Sequence, residues 1–371
     1  MFNPFKRLPV DPSSGRFYKG FLRLSDKGGQ FGYKGVSRIY SQEKGDPNVK
    51  GISGFDSVVR LNSTYLELVD QSYNWRGTWT LAGVIFFCMF FGLFCYSFIG
   101  VMMGWGGYSF GFWFGTLLIW AITLPLSLLT YRMMTSEVFF STYYPIRFNR
   151  KNGMVYVYQS GGTVLFVPWR DIHFVLTSAK MGSSTQWTIV GCTTEEDGDT
   201  VAKAIPLPID LSQGPEVILM YWEFIRCYME EGDEYLPDLV DTIPWCPPVE
   251  KQKEGWLFGL LYLSKQLFGR LGLIVNALQL PIFFVISFPR WLVMATCNIP
   301  VWPAEVVSAC QPAENDPVNK GAENNPPQVW RPMLGLQGKT RYAQSFARER
   351  EAMDRIIARL KVKYGGQEST D

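Results

Sequence analysis

The apolar and polar positions of the chain fall into three patterns, and the longest-range one comes first. Between Arg76 and Arg132 no charged residue occurs for 55 positions, room for two membrane spans of about 20 residues each and a tight connection. Thr78–Met103 and Phe110–Tyr131 read as the two spans. The glycine-rich stretch between them, ending at Tyr108 and Ser109, reads as a turn at headgroup level. Tyr73, Trp75 and Trp79 before the first span, Trp105 and Tyr108 at the turn, and Tyr131 at the exit are aromatic where membrane interfaces are expected. Gly100 and Gly104 make one GxxxG pair, and Gly111 with Gly115 a second. Missing side chains let helix backbones approach closely in lipid. The pairs are expected to seat the two helices of one hairpin, with homo-oligomerisation as the other reading.

A second pattern, with a period near two, follows the hairpin. From Glu137 to about Leu207, short β-branched and aromatic runs alternate with turn signals: VFFSTYYPIRFNR ends at KNG, MVYVYQ ends at SGG, TVLFVPWRDIHFVLTSAK comes next, and TQWTIVGCTT and TVAKAIPLPI flank the acidic turn EEDGD. The period then lengthens to 3.6 in PEVILMYWEFIRCYMEEG. There Val217, Leu219 or Met220, Phe224, Cys227 and Tyr228 form a stripe and Pro215 sits near the start. Five to seven antiparallel strands closed by one amphipathic helix is the element order of a pleckstrin-homology-like domain, an order other α+β layouts share.

The flanks are less regular. Residues 1–76 read as a cytoplasmic N-terminal arm dense in turn residues, with Arg16–Leu24 and Lys34–Tyr40 as short strand candidates. Ser57–Gly77 leaves strand and helix open. After the strand-rich region, 132–235, a Pro-rich linker leads to a strongly apolar segment ending near Cys310. Leu271–Phe288 is uncharged for only 18 residues and interrupted by Pro281. We read the apolar segment Gly255–Pro303, within 236–310, as helices lying in the membrane interface or packed on the hairpin, with Lys265, Arg270 and Arg290 reaching toward phosphates, in preference to a third span. Residues 311–328 are poor in apolar side chains and are expected to be disordered. Beyond them Tyr342, Phe346, Met353, Ile357 and Leu360 form a helical stripe backed by basic residues that include Arg355 and Arg359. Docking on the protein itself, or contact with anionic lipid or a partner, stays open there.

The remaining counts narrow the function. Basic residues flank the hairpin and are missing from its turn, which places both termini in the cytoplasm. Arg147, Arg150 and Lys151, at a strand turn past the second span, are candidates for lipid headgroups or a partner. A net charge of +2 gives no reason to expect nucleic acid. Seven cysteines without a CxxC pair fit free thiols. One histidine, His173, excludes a multi-histidine zinc site and leaves acid–base catalysis a single candidate, with Asp171 on the same strand face. No phosphate-binding loop, nucleophile elbow or HExxH occurs. We therefore expect a non-enzymatic α+β membrane protein without a cofactor.

LNSTYLELVD and WRG before the first span, IRFNRKNGMVYVY and VPWRDI in the strand region, and IPVWPAEVVSAC further on resemble an uncharacterised family of Gram-negative bacterial membrane proteins, a domain of unknown function. That family tends to be encoded near type VI secretion genes. The resemblance implies an inner-membrane immunity or accessory factor whose cytoplasmic domain binds a toxin or a secretion component. A bilayer-perturbing effector is the competing expectation, and a lipid-acting enzyme a more distant one.

Overall fold

The structure is a computed structural model and describes residues 23–25, 35–107, 109–181, 184–209, 214–267, 273–333 and 341–365. Tyr108, Arg270 and most of Arg16–Leu24 lie outside them. In chain order the strands and first helices are β1 (Gly35–Tyr40), β2 (Val58–Leu61), β3 (Tyr65–Leu68), α1 (Thr78–Met102), α2 (Phe110–Met134), β4 (Ile146–Asn149), β5 (Met154–Tyr158), β6 (Val164–Pro168), β7 (His173–Met181), β8 (Ser184–Thr194) and β9 (Val201–Pro206). Helices α3 (Pro215–Glu230), α4 (Leu236–Asp241), α5 (Trp256–Leu267), α6 (Leu273–Thr296), α7 (Ala304–Ala309), α8 (Trp330–Met333) and α9 (Arg341–Tyr364) follow. The chain divides into two compact units. One comprises Asn74–Phe140 and Glu254–Asn298; the other takes the described parts of Asp11–Tyr73, Ser141–Lys253 and Ile299–Asp371.

The larger unit is a mixed α+β body with two antiparallel sheets, ordered β1-β7-β8-β9 and β2-β3-β4-β5-β6. Strands β5 to β9 fall where the alternation predicts, whereas of the predicted run Val138–Arg150 only Ile146–Asn149 is strand, β4. The N-terminal segment departs from the expected arm: β1 pairs with β7 from Gly35↔Ser178 to Tyr40↔Phe174, and β3 pairs with β4 from Tyr65↔Asn149 to Leu68↔Ile146. Ser57–Gly77, left open above, is a strand pair, β2 and β3, before α1. Strands on both sides of the hairpin therefore share one sheet, and the boundary at residue 132 does not mark a domain.

Helix α3 fills the core of this unit. Its Trp222 ring stacks on Tyr40 and Trp169 at centroid separations of 5.7 and 5.9 Å and meets Phe174 at 4.6 Å. The buried set is Ile218 and Tyr221–Tyr228, so of the predicted stripe Phe224, Cys227 and Tyr228 are buried while Val217, Leu219 and Met220 are only half-buried, because the C-terminal part of the helix is covered on every side. Residues 311–328 are not the predicted disordered linker. Leu61 and Lys320 exchange backbone hydrogen bonds of 2.9 and 2.7 Å, the Ser63 amide donates to Asp316, and Arg60 pairs with Glu323.

The smaller unit holds α1 and α2, each 25 residues, with α5 and α6. At 1.5 Å per residue each hairpin helix is about 37 Å long, against about 30 Å of bilayer hydrocarbon. Both are long and apolar enough to cross a membrane.

Candidate functional site

In the hairpin the usual burial order is inverted. Only 6% and 17% of the most apolar windows of the two helices are buried. Ile85, Phe86, Met89, Leu117, Leu118 and Leu129 are all exposed, whereas Thr80, Thr116, Thr123, Ser127 and Thr130 are buried. Three of these hydroxyls pair within the helix: Thr123 donates to the Ile119 carbonyl, Ser127 to Thr123 and Thr130 to Leu126, at 2.6–2.9 Å. Trp120 Nε1 donates across to Ser97 Oγ at 2.8 Å. Small polar residues inside and large apolar ones outside is the packing expected where the surrounding medium is as apolar as leucine.

The close approach of the two helices occurs at a glycine that the GxxxG spacing does not flag. A Cβ on Gly83 would lie 2.3 Å from the Met134 backbone nitrogen. Gly100 faces the Trp105 ring of the turn instead, Gly104 sits in the turn with φ +69°, Gly111 meets only Ser109 Oγ at 3.8 Å, and Gly115 has nothing within 4 Å. None of the four seats one helix on the other. Below them, Glu137 closes the base. Its buried carboxylate accepts from the Gly77 amide at 3.2 Å and from the Thr80 amide and hydroxyl at 2.9 Å. A residue beyond α2 thus caps α1, satisfying amides that have no partner within the helix and placing negative charge at its positive end. Sequence periodicity carries no sign of this, because the cap and the helix it serves are far apart in the chain.

Arg290 does not reach toward phosphate. It is fully buried and held by both oxygens of Glu254, Nε to Oε1 at 2.7 Å and Nη2 to Oε2 at 2.8 Å, with the Tyr262 ring centroid 4.8 Å from its Cζ. The Tyr262 hydroxyl in turn donates to Asn74 Oδ1. Gly77 gives the Arg290 backbone room; a Cβ there would sit 2.4 Å from the Arg290 Cα.

In the larger unit the arginines expected to meet lipid are mostly braces. The β3–β4 register sets Glu67 opposite Arg147. Arg147 Nε donates to Glu67, whose carboxylate also accepts from the Tyr143 hydroxyl at 2.9 Å. Tyr65 and Trp302 close over the guanidinium, both ring centroids 4.6 Å from its Cζ. Burial, reinforced by the Glu67 charge, pushes the Tyr143 hydroxyl well above the usual tyrosine range. Arg150 donates to the Glu231 carbonyl at 2.7 Å and pairs with Asp233, while its neighbour Lys151 is exposed. Arg355 and Arg359 both pair with Asp238 of α4, at 2.7 and 2.9 Å. Helix α9 is docked on its own unit through Ala352, Ile356 and Leu360.

A further network was not singled out from sequence. Arg226 bridges Glu223 and Glu231 at 2.8 Å each, and Glu231 also receives Lys363 at 2.7 Å and the Tyr364 hydroxyl at 2.9 Å. The spacing of Glu223 and Arg226, three apart in a helix, was the available signal. Glu231 is raised by burial but brought net below the usual carboxylate range by the hydrogen bonds from Lys363 and Arg226. His173 is exposed on β7, and Asp171 lies in the short helical turn before it, so the two do not share a strand face. The acidic turn is solvated: Asp197 accepts from the amides of Asp199 and Thr200 and from the Thr200 hydroxyl. Among the described residues no group of three or more His, Cys, Asp or Glu is placed to hold a metal ion.

No curated protein and no solved structure matches the chain. The model of one family, described as a family of unknown function, matches residues 122–314, from within α2 through β4–β9 to just beyond α7, slightly more than half of the sequence. The chain therefore belongs to the family of unknown function DUF6708.

Proposed function

We propose that this is a non-enzymatic protein of the bacterial inner membrane, anchored by α1 and α2, whose strand-rich unit binds a partner protein on the cytoplasmic side. The observation that carries the anchoring is the inverted burial of the hairpin, with isoleucine, phenylalanine and leucine outside and threonine and serine between the helices. Sheet pairing supports an even number of crossings. β3 and β4 are neighbours, so the chain between Leu68 and Ile146 leaves and returns on one side. The charge pattern of the sequence supports the cytoplasm as that side.

A strand meander closed by a core helix, α3, supports a pleckstrin-homology-like reading of the larger unit, a class of scaffold that presents loops and edges to partners. The buried pairs of Arg60, Arg147 and Arg226 support a binding role over a catalytic one, since their charges are spent on holding elements together. The resemblance to proteins encoded near type VI secretion genes favours a toxin or a secretion component as partner, hence an immunity or accessory role. Two assays test this. Alkaline carbonate should leave the full-length protein in the membrane pellet, and release into the supernatant would refute the anchor. Expression alone, in a host lacking the neighbouring genes, should leave growth unchanged; growth arrest would refute the protective role in favour of a bilayer-perturbing effector.

A further inference from the structure

We infer that α6 is a helix lying along the membrane surface, not a third crossing, with Ile282, Phe284, Val285, Phe288, Trp291 and Leu292 seated at the boundary between headgroups and acyl chains. The inference rests on the proposed crossing by α1 and α2. Its first support is the helix's own polarity. In the described part Phe283, Ser287, Pro289, Arg290, Val293 and Met294 are buried, as is Cys297 just past the helix, so the polar Ser287 and Arg290 face inward, while the exposed arc is apolar. A helix facing water would carry the opposite pattern.

The second support is topological. The chain on either side of residues 254–298 belongs to one folded body: Arg60 holds Glu250 at 2.7 Å and Glu323 at 2.8 Å, and Leu61 pairs with Lys320. The segment therefore starts and ends on the same side of any membrane. Were α6 to cross, α5 would have to cross back. Its 12 residues give about 18 Å, well short of about 30 Å of hydrocarbon.

The third support fixes the depth. The C-terminal half of α6 is joined to both ends of the hairpin: to Gly77 through the Arg290 backbone, and to the residues after α2 through Asn298, whose amide donates to the Phe140 carbonyl at 2.7 Å, and Cys297, whose thiol donates to the Glu137 carbonyl at 3.1 Å. Val138 packs on Val293 and Cys297 there. This is the level of the exposed Trp75 and Trp79 at the start of the hairpin, where aromatic belts mark the interface. Phe139 adds a ring at the same level. It is 64% exposed and held at φ +64°, a conformation bulky side chains rarely adopt, so the turn displays an aromatic at a position that glycine would occupy without strain. The apolar face of α6 continues the lipid-facing surface of the hairpin, and the Glu254–Arg290 pair holds it there.

The test is photolabelling of the full-length protein in phosphatidylethanolamine–phosphatidylglycerol vesicles. One preparation carries a diazirine near the glycerol end of the acyl chain, the other at its terminus, and adducts are mapped by mass spectrometry. The shallow probe should label residues 281–296 and the deep probe α1 and α2. Deep labelling of 281–296, or no labelling there while α1 and α2 are labelled, overturns the inference and leaves the hairpin reading standing. Absence of adducts on α1 and α2 overturns both. In a Val285→Asp, Phe288→Asp variant, altered only at exposed positions, shallow labelling of α6 should fall several-fold while hairpin labelling is unchanged; unaltered labelling of α6 would also overturn the inference.

Discussion

Glu67→Gln separates a buried brace from a lipid-contacting arginine at Arg147. The substitution keeps the shape of the side chain and a partner for Tyr143, but removes the charge facing a guanidinium whose side chain is only 8% exposed. Breaking a buried ion pair from one side costs about 3–5 kcal/mol, because the remaining charge has no compensation. Tyr65 and Trp302, 4.6 Å from the Arg147 Cζ, soften this by up to about 2 kcal/mol when desolvated, which points to the lower end, about 3 kcal/mol. For a body of this size each kcal/mol moves the thermal midpoint by about 2–4 °C, so the full-length protein in mild detergent should lose roughly 6–12 °C by near-ultraviolet circular dichroism. Adding Arg147→Met removes the stranded charge, and the double variant should recover most of the loss. A single variant within about 2 °C of the parent, or a double variant less stable than the single, would refute the brace and return Arg147 to the candidates for lipid.

Three other perturbations follow from the same contacts. Gly83→Leu should destabilise the hairpin by about 1–3 kcal/mol, read as loss of proximity between labels on α1 and α2, while Gly115→Leu, with nothing within 4 Å, leaves it unchanged. Burial pushes the Tyr40 hydroxyl up to about 12, with Arg38 opposing and Asp46 and Glu223 adding to the rise. A folded value above the unfolded one of about 10 means this stability is complete below pH 10 and is lost as pH climbs through about 12; Tyr40→Phe should remove roughly 2–3 kcal/mol of that alkaline loss in equilibrium unfolding. Asp238→Asn weakens the attachment of both Arg355 and Arg359, so amide exchange along α9 should accelerate while β4 and β5 keep their protection.

The hairpin was legible because a run of 55 uncharged residues has few alternatives, and β5 to β9 and α3 because local alternation and a change of period suffice to place them. The assignment of β1, β2 and β3 to the same two sheets was not legible. Tyr65 and Asn149 pair across the whole hairpin, and no local pattern records a partner that distant. Residues 311–328 misled for a different reason: apart from the buried Val318, their order comes from Lys320 pairing with a strand, Asp316 accepting from Ser63 and Glu323 meeting Arg60, so composition had little to register. The roles of the arginines were hidden because a basic residue beside an apolar segment looks the same whether it faces phosphate or a buried carboxylate. Only the register at Glu67 and the fold that brings Glu254 to Arg290 tell the two apart.

The adjacency of β3 and β4 also sets an order of events during synthesis. Tyr65–Leu68 leaves the ribosome well before Ile146–Asn149, and α1 and α2 are made in between. On the proposed anchoring, with the hairpin inserted as it emerges, the five-stranded sheet would close only after the membrane step, and until then β3 has an open edge on the side that β4 will occupy. On that proposal, delayed insertion would present as misassembly of the strand-rich unit.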